Sequence, residues 1–347
     1  MTGNFSGELS SVLYVDPATV EDQQRTFLMN LEKLGRAGKG KRTLFEEVVP
    51  VIGANGVLLG LETLWPLCHD EAHDLGKVIY AAVRDVGTAL RVCRDGCHSG
   101  CMHGVLMEAF ASARASGSVD PERHVDIDLV HTMMGTICAD TTMVSSYSPG
   151  DCAHGVGHAM MVLADYEVPD AIRYCDEFSK EHMRYYCATG AYMEYVTERD
   201  AADAAAGKSL LYPCDTGKYP AACARYKMVH VVGRLVKKTS DVRTLVHRCD
   251  QLAGKYRLGC YHGAGNGLIS ALVTGKVTLQ DVCGQGTVDE RSVCIDGAME
   301  RMQKYHPDQA RAVCDALPPA SLERKTCEDA RARGMYDMKK DLRLYAQ

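Results

Sequence analysis

Histidines recur in pairs four residues apart in the first half of this chain. The segment Gly150–Tyr166 reads GDCAHGVGHAMMVLADY and contains His154 and His158, and an earlier segment contains His69 and His73. Residues i and i+4 lie on one face of an α-helix, so each pair could bind one ion without a change of backbone. Neutral imidazoles are the commonest protein ligands for copper, iron and zinc.

Single histidines extend this set, because His103 and His262 each follow a cysteine by two residues, as His154 does. We therefore predict a site for a transition metal (copper, iron or zinc). Its candidate ligands are His69, His73, His103, His154, His158 and His262. Carboxylates could orient the imidazoles, and the candidates are Asp70, Glu108 and Asp151. For His262 alone, the alternative is an ordinary hydrogen-bonded side chain near a helix start.

The segment His69–Asp70–Glu71–Ala72–His73 has the ligand spacing of the zinc-protease motif H-E-x-x-H. However, Asp70 follows the first histidine where the motif has Glu. Glu71 lies about 200° around a helix from that histidine and should face away. The sequence therefore assigns no catalytic residue.

The sixteen cysteines indicate disulfide bonds rather than a zinc or iron–sulfur site. Their number is even, and no two are separated by only two residues as in a CxxC motif. Disulfides persist in oxidising compartments, so we predict a secreted, periplasmic or extracellular domain. Met1–Ser10 contains no recognisable secretory signal, and we expect the signal or anchor to lie outside this chain.

The cysteines also define a repeat, because seven of them precede helical patterns at nearly regular intervals. They are Cys101, Cys152, Cys187, Cys223, Cys260, Cys294 and Cys327, separated by 51, 35, 36, 37, 34 and 33 residues. The first interval contains a polar insertion, Ala113–His124. A period near 35 is typical of helix–turn–helix repeats. Gly follows five of these cysteines three residues later, which would let a neighbouring helix approach closely.

Each such cysteine has a partner upstream, near the end of the preceding helix. The predicted bonds are Cys138–Cys152, Cys175–Cys187, Cys214–Cys223, Cys249–Cys260, Cys283–Cys294 and Cys314–Cys327. The four cysteines at the start, Cys68, Cys93, Cys97 and Cys101, allow three pairings. Analogy with the later repeats favours Cys93–Cys101 and Cys68–Cys97.

A period of about 36 residues with one bridge per unit resembles the Sel1-like, TPR-type repeats of cysteine-rich bacterial proteins. The resemblance covers Cys93–Met335 in spacing only. Here each helix opens C-x-x-G, and Gly190–Ala191–Tyr192 only partly matches the usual core signature. The resemblance implies a fold of stacked helical hairpins, and no function is transferred from it.

The predicted fold is thus all-α: disulfide-stapled helical-hairpin repeats, solenoid-like, with a helical N-terminal cap. Residues 1–66 form the cap, 67–335 the repeats and 336–347 a C-terminal tail. The cap should contain a helix from Asp16–Pro17 to about Leu34, then helices Arg42–Ile52 and Gly56–Trp65. Val48–Trp65 is apolar but interrupted, so no transmembrane span is predicted.

Aligned repeats place the residues two and six positions after each cysteine in one largely polar column. Its histidine end could be the metal site, and its end at Asp296, Glu300 and Asp329 is interpreted as a solvated face.

A net charge of −6 and a pI near 6.1 argue against nucleic-acid binding.

The sequence therefore predicts an exported metal-binding helical-repeat protein. Oxidative chemistry is favoured over hydrolysis, because several histidines with few carboxylates suit copper. The alternatives are a metal storage or delivery protein and a non-enzymatic scaffold that binds a small molecule or protein on the repeat face.

The sequon Asn4–Phe5–Ser6 is a weak indication of glycosylation at Asn4.

Overall fold

The computed structural model describes residues 21–36, 38–65, 68–94, 96–116, 134, 137–138, 147–209, 211–214, 218–236 and 241–345. Within these residues the regular structure is helical and no strand occurs, which confirms the all-α prediction. The chain divides into two compact units, Met1–Leu163 and Ala164–Gln347. The domain boundaries predicted after residues 66 and 335 do not coincide with this division. The Asn4 sequon, the Asp16–Pro17 helix start and most of the Ala113–His124 insertion lie outside the described residues.

The first unit is built so that its three histidine-bearing helices are neighbours. Helix α3 packs on α5, and α5 packs on α6, while α2 packs on α3 and α1 packs on α2. The helices of this unit are α1 (Glu21–Leu34), α2 (Lys41–Leu64), α3 (His69–Val83), α4 (Val86–Val92), α5 (Gly100–Ser116) and α6 (Pro149–Leu163). A 3₁₀ turn, Cys97–Ser99, precedes α5.

Helix α2 contains the two helices predicted between Arg42 and Trp65, joined at a kink. Gly53 has φ 69° and ψ 166°, which is not helical, so the predicted break at this glycine is confirmed. Glycine reaches this region of φ without steric cost. By length and composition alone α2 could cross a membrane. However, 61% of its most apolar window is buried within the protein, as expected of a core helix.

The second unit combines long helices with short ones. The long helices α9, α11 and α14 pack in succession, and α14 contacts α16. Its helices are α7 (Val168–Cys175), α8 (Glu181–Ala205), α9 (Pro220–Leu235), α10 (Val242–Val246), α11 (Gly254–Gly267), α12 (Ile269–Val273), α13 (Leu279–Cys283), α14 (Val288–Tyr305), α15 (Pro307–Asp315), α16 (Leu322–Arg331) and α17 (Met338–Tyr345). The segment predicted as a tail thus contains helix α17, which contacts α8, α9 and α11.

Short polar side chains set several helix starts in this unit. Thr278 and Thr287 form capping boxes with Asp281 and Glu290, and Ser321 accepts a hydrogen bond from the Arg324 amide. Each cap satisfies backbone N–H groups that have no partner within the helix. The local sequence therefore fixes where α13, α14 and α16 begin.

All sixteen cysteines form disulfides, in the pairing predicted from their spacing. The bonds are Cys68–Cys97, Cys93–Cys101, Cys138–Cys152, Cys175–Cys187, Cys214–Cys223, Cys249–Cys260, Cys283–Cys294 and Cys314–Cys327. One detail differs, because the second cysteine of a pair need not open its helix. Cys101 is the second residue of α5, but Cys187 is the seventh of α8.

Glycines let the long helices approach until backbone meets backbone. A Cβ atom on Gly104 would lie 2.0 Å from the carbonyl oxygen of His73, and one on Gly76 would lie 1.9 Å from that of Cys101. In the second unit, a Cβ on Gly263 would lie 2.1 Å from the carbonyl oxygen of Arg225. The predicted close approach at the third residue after the cysteine is therefore confirmed for Gly104 and Gly263.

Candidate metal centre

Five of the six predicted histidine ligands lie together in the first unit. Helix α3 supplies His69 and His73, α5 supplies His103, and α6 supplies His154 and His158. All five side chains are buried, with exposed fractions of 7% or less. The i, i+4 spacing works as predicted, because each pair presents both imidazoles to the same interior space.

The nitrogen atoms are close enough to share one ion. Ligand nitrogens of His69, His73, His103 and His158 all lie within 4.8 Å of one another. The Nε2 atoms of His69 and His73 are 3.2 Å apart, and those of His154 and His158 are 3.3 Å apart. Two nitrogens bound about 2.05 Å from a tetrahedral ion lie about 3.3 Å apart. The spacing within each pair therefore fits metal coordination.

His154 extends this group at one side. Its ring centroid lies 5.1 Å from that of His103 and 5.0 Å from that of His158. The cluster thus holds one more imidazole than a tetrahedral ion requires. Such an arrangement could exchange one ligand for another, or hold a second ion at its edge.

Two of the imidazoles show how the cluster is oriented. His69 Nδ1 lies 2.9 Å from the backbone carbonyl oxygen of His98. A carbonyl only accepts, so His69 Nδ1 carries the proton and Nε2 presents its lone pair. The buried Nδ1 atom of His103, in contrast, has no hydrogen-bond partner among the described residues. Buried polar atoms normally have a partner, so a ligand there would complete the site.

The His98 carbonyl is held by an unusual turn between two disulfides. Cys97, His98 and Ser99 have φ angles of 47°, 53° and 63°, a left-handed conformation that L-residues rarely adopt in succession. Cys97 is bonded to Cys68, which directly precedes His69, and Cys93 is bonded to Cys101. Because both crosslinks flank the turn, they hold it in register with helix α3.

The cluster keeps its imidazoles in the form that binds metals. Burial lowers the pKa of His73 well below 6.5, and the neighbouring His69 and His158 lower it further. Burial likewise lowers the pKa of His103, with further lowering by His158 and His69. Both side chains are therefore neutral at pH 7 and have lone pairs to offer.

The nearby acidic side chains are occupied elsewhere or point outward. Glu71 faces away from the histidines, as predicted, and pairs with Arg36 at 2.8 Å, a partner that the sequence did not reveal. Glu108 lies 3.3 Å from Arg42, and Asp151 accepts a hydrogen bond from the Ser148 hydroxyl. Asp70 is exposed. The orienting role of Asp70, Glu108 and Asp151 remains a prediction.

His262, the sixth predicted ligand, belongs to the second unit. Its Nε2 atom lies 3.5 Å from a carboxylate oxygen of Glu300, which also binds Arg225 and Lys340. The interpretation of Asp296 and Glu300 as a solvated face was wrong. Their exposed fractions are 1% and 2%, because basic side chains from other helices neutralise them. Asp329, in contrast, is exposed.

Comparison with protein-family models, curated proteins and solved structures finds no match to this chain. Its chemistry therefore has to be argued from the residues themselves.

Proposed function

We propose that the first unit is a histidine-ligated transition-metal centre, with copper, iron or zinc as the ion. The observation that carries this proposal is the burial of four imidazoles whose ligand nitrogens lie within 4.8 Å of one another. His69, His73, His103 and His158 would hold the ion, and His154 would stand beside it. The eight disulfides indicate an oxidising environment, which supports an exported protein.

The competing explanation is a cluster held together by N–H···N hydrogen bonds alone. A distance of 3.2 Å between two Nε2 atoms would permit one such bond. However, a neutral imidazole donates one hydrogen bond and accepts one, and burial leaves little water to complete five of them. The unpartnered Nδ1 atom of His103 favours a bound ion over this explanation.

Oxidative chemistry suits this centre better than hydrolysis. A metal-bound water usually gives its proton to a nearby base, often a carboxylate. Of the two acidic residues between His69 and His73, Asp70 is exposed and Glu71 is engaged by Arg36. A bound copper or iron ion would supply electron transfer or reaction with O₂. The residues of this chain would bind the ion, hold His69 in the correct tautomer and keep bulk water away.

Metal storage or delivery is the second candidate function. The candidate ligands are buried, and four imidazoles could fill every position of a tetrahedral ion. A filled and buried site has no open position for a substrate. The stacked long helices would then form a repeat array that protects the ion and presents a face to a partner.

Elemental analysis of the purified protein tests the proposal. We expect near-stoichiometric copper, iron or zinc, lost in a His73→Ala/His158→Ala variant. The matched control is His247→Ala, which removes an exposed histidine of the second unit. Metal in a folded double variant equal to that of the wild-type protein would contradict the site.

Turnover and exchange then separate the two functions. Oxygen consumption or reduction of the bound ion by a small reductant supports oxidative chemistry. Rapid loss of the ion to a chelator, without turnover, supports storage or delivery. Metal-free wild-type protein that remains folded and takes up none of the three ions would exclude both.

A further inference from the structure

The second unit buries a guanidinium group that is only partly paired. Arg225 on α9 is completely buried, and its Nη2 atom binds Glu300 of α14. Its Nε and Nη1 atoms have no hydrogen-bond partner among the described residues. Three of its five N–H groups are therefore without an acceptor, which is costly for a buried cation.

A second buried guanidinium, that of Arg301, is also only partly paired. Its exposed fraction is 9%, its Nε atom has no partner, and its Nη2 atom lies 4.0 Å from the Met193 sulfur. Burial opposes the charge of Arg301, and the neighbours that raise its pKa most are the phenols of Tyr226 and Tyr336, ahead of Glu300. No described carboxylate forms an ion pair with it.

Glu300 links the two arginines, because it binds Arg225 and directly precedes Arg301 in α14. Arg225 lies 5.1 Å from the centre of the Tyr226 ring. Burial opposes the charge of Arg225 too, while Glu300, Tyr226, Tyr185 and Tyr336 raise its pKa. Tyr226 and Tyr336 thus neighbour both arginines. The buried Tyr185 hydroxyl adds another donor that has no partner among the described residues.

Positive charge is in excess in this region. Arg225, Arg301 and Lys340 are buried cations, and the carboxylates beside them are Glu300, Asp341 and Asp296. Arg333 and Arg343 also bind Asp296, so five cations face three carboxylates. His262 adds no positive charge, because burial and Arg225 lower its pKa to about 4 and leave it neutral. An uncompensated buried charge is strongly destabilising, so a bound anion would stabilise the fold.

We propose that the second unit binds a small oxyanion, a carboxylate or a phosphate, between Arg225 and Arg301 with the Tyr185 hydroxyl as a further donor. Guanidinium groups recognise both anions through paired N–H···O bonds. This site is independent of the metal centre proposed for the first unit.

A cavity of about 670 Å³ lies in the same unit. Its walls include the cationic side chains of Arg184, Lys218 and Lys255 and the acidic side chains of Asp176 and Glu181. Tyr219 and Tyr345 also line it, and their rings lie 6.3 Å and 5.5 Å from that of Tyr185. Tyr185 is also among the neighbours of Arg225, so this cavity would give an anion a route from solvent as far as Tyr185.

Thermal unfolding of the full chain, at constant ionic strength, tests the proposal with inorganic phosphate and malonate as separate probes. A saturable rise in Tm of about 5 °C is expected at a hundredfold excess over Kd. Saturation by phosphate identifies a tetrahedral oxyanion, and saturation by malonate identifies a carboxylate. Isothermal titration calorimetry should give one site per chain.

Arg301→Met is the decisive variant, because Arg301 has no carboxylate partner to abandon. We expect at least a tenfold weaker affinity and a Tm equal to or above that of the wild-type protein in anion-free buffer. The matched control is Lys325→Met, which removes an exposed cation of α16 and should leave binding unchanged. A linear, unsaturable rise in Tm, or equal binding by the Arg301→Met variant, would overturn the proposal. If Arg301→Met does not fold, Arg225→Lys keeps the charge beside Glu300 and should still weaken binding.

Discussion

Single residues at one helix position give the two units different chemistry. The second residue after the cysteine is His103 in α5 and His154 in α6, but Arg225 in α9 and His262 in α11. All four are buried. In the first unit, the neighbours are other imidazoles, which suit a metal cation. In the second unit, a guanidinium beside Glu300 is itself the cation. Similar backbone packing therefore supports two kinds of polar centre.

The pH dependence of stability should reveal the buried His262. Burial lowers its folded-state pKa to about 4, whereas an exposed histidine has a pKa near 6.5. Between these pH values the unfolded chain binds a proton that the folded chain does not bind. The free energy of unfolding should therefore fall on acidification from pH 6.5 to pH 4, by at most about 1.4 kcal/mol per pH unit from this residue.

Denaturant unfolding of a His262→Gln variant over this range measures the effect. On acidification, the free energy of unfolding of the variant should fall by up to about 3 kcal/mol less than that of the wild-type protein, because Gln does not titrate. The wild-type and variant curves should thus converge as the pH decreases. Parallel curves would show that His262 has the same pKa in the folded and unfolded chains.

At the scale of helices, the contact between α3 and α5 sets the width of the histidine cluster. Gly104→Ala would place a Cβ atom 2.0 Å from the His73 carbonyl oxygen, which is closer than van der Waals contact allows. We expect the helices to separate, at a cost of about 1–3 kcal/mol in unfolding free energy, and metal affinity to fall. Gly233→Ala in α9 is the matched control, because nothing lies within 4 Å of its Cβ position. This control should be neutral or stabilising by up to about 1 kcal/mol. Equal metal content and stability in the two variants would contradict the close-packing argument.

The disulfide Cys68–Cys97 should matter for metal binding as well as for stability. A Cys68→Ser/Cys97→Ser variant opens a loop with a sequence separation of 29, which costs about 3–4 kcal/mol. It also releases the turn whose His98 carbonyl orients His69, so metal affinity should fall about tenfold or more.

A Cys314→Ser/Cys327→Ser variant is the matched control for that experiment. It removes a bond with a sequence separation of 13 in the second unit and should cost about 3 kcal/mol. Metal affinity, measured by competition with a chelator, should not change. A loss of affinity in both variants would mean that the Cys68–Cys97 bond acts through global stability alone.

The sequence predicted those features that depend on regular spacing. Intervals of 33–37 residues led to the disulfide pairing, and the i, i+4 pairs led to His69, His73, His154 and His158. The predicted break at Gly53 also corresponds to non-helical backbone in the structure. His98 contributes through its backbone carbonyl, which no side-chain motif could indicate.

The polar centre of the second unit was missed for a different reason. Glu300 and Asp296 look like solvated residues in the sequence, because their partners lie 37 to 75 positions away. Lys340, Asp341 and Arg343 come from the segment 336–347, which was predicted to be a tail. Long-range charge pairing depends on tertiary packing, and the spacing of residues within one helix does not encode it. Arg225, a cation within the largely polar column, was a local signal.

At the scale of the whole molecule, the two proposed ligands should stabilise different parts of the chain. A ligand that binds only the folded state raises the free energy of opening for the structure that it contacts. The metal should therefore slow amide hydrogen exchange in α3, α5 and α6, which carry the histidines. Phosphate or malonate should slow exchange in α9, α14 and α17, which surround Arg225 and Arg301. Hydrogen exchange followed by mass spectrometry, with each ligand added alone, measures both effects in one preparation.

Removal of the metal from the wild-type protein should raise exchange in α3, α5 and α6 and leave α9, α11 and α14 unchanged. The same treatment of the His73→Ala/His158→Ala variant should change nothing. Protection that spreads equally over Met1–Leu163 and Ala164–Gln347 with either ligand would contradict two separate sites.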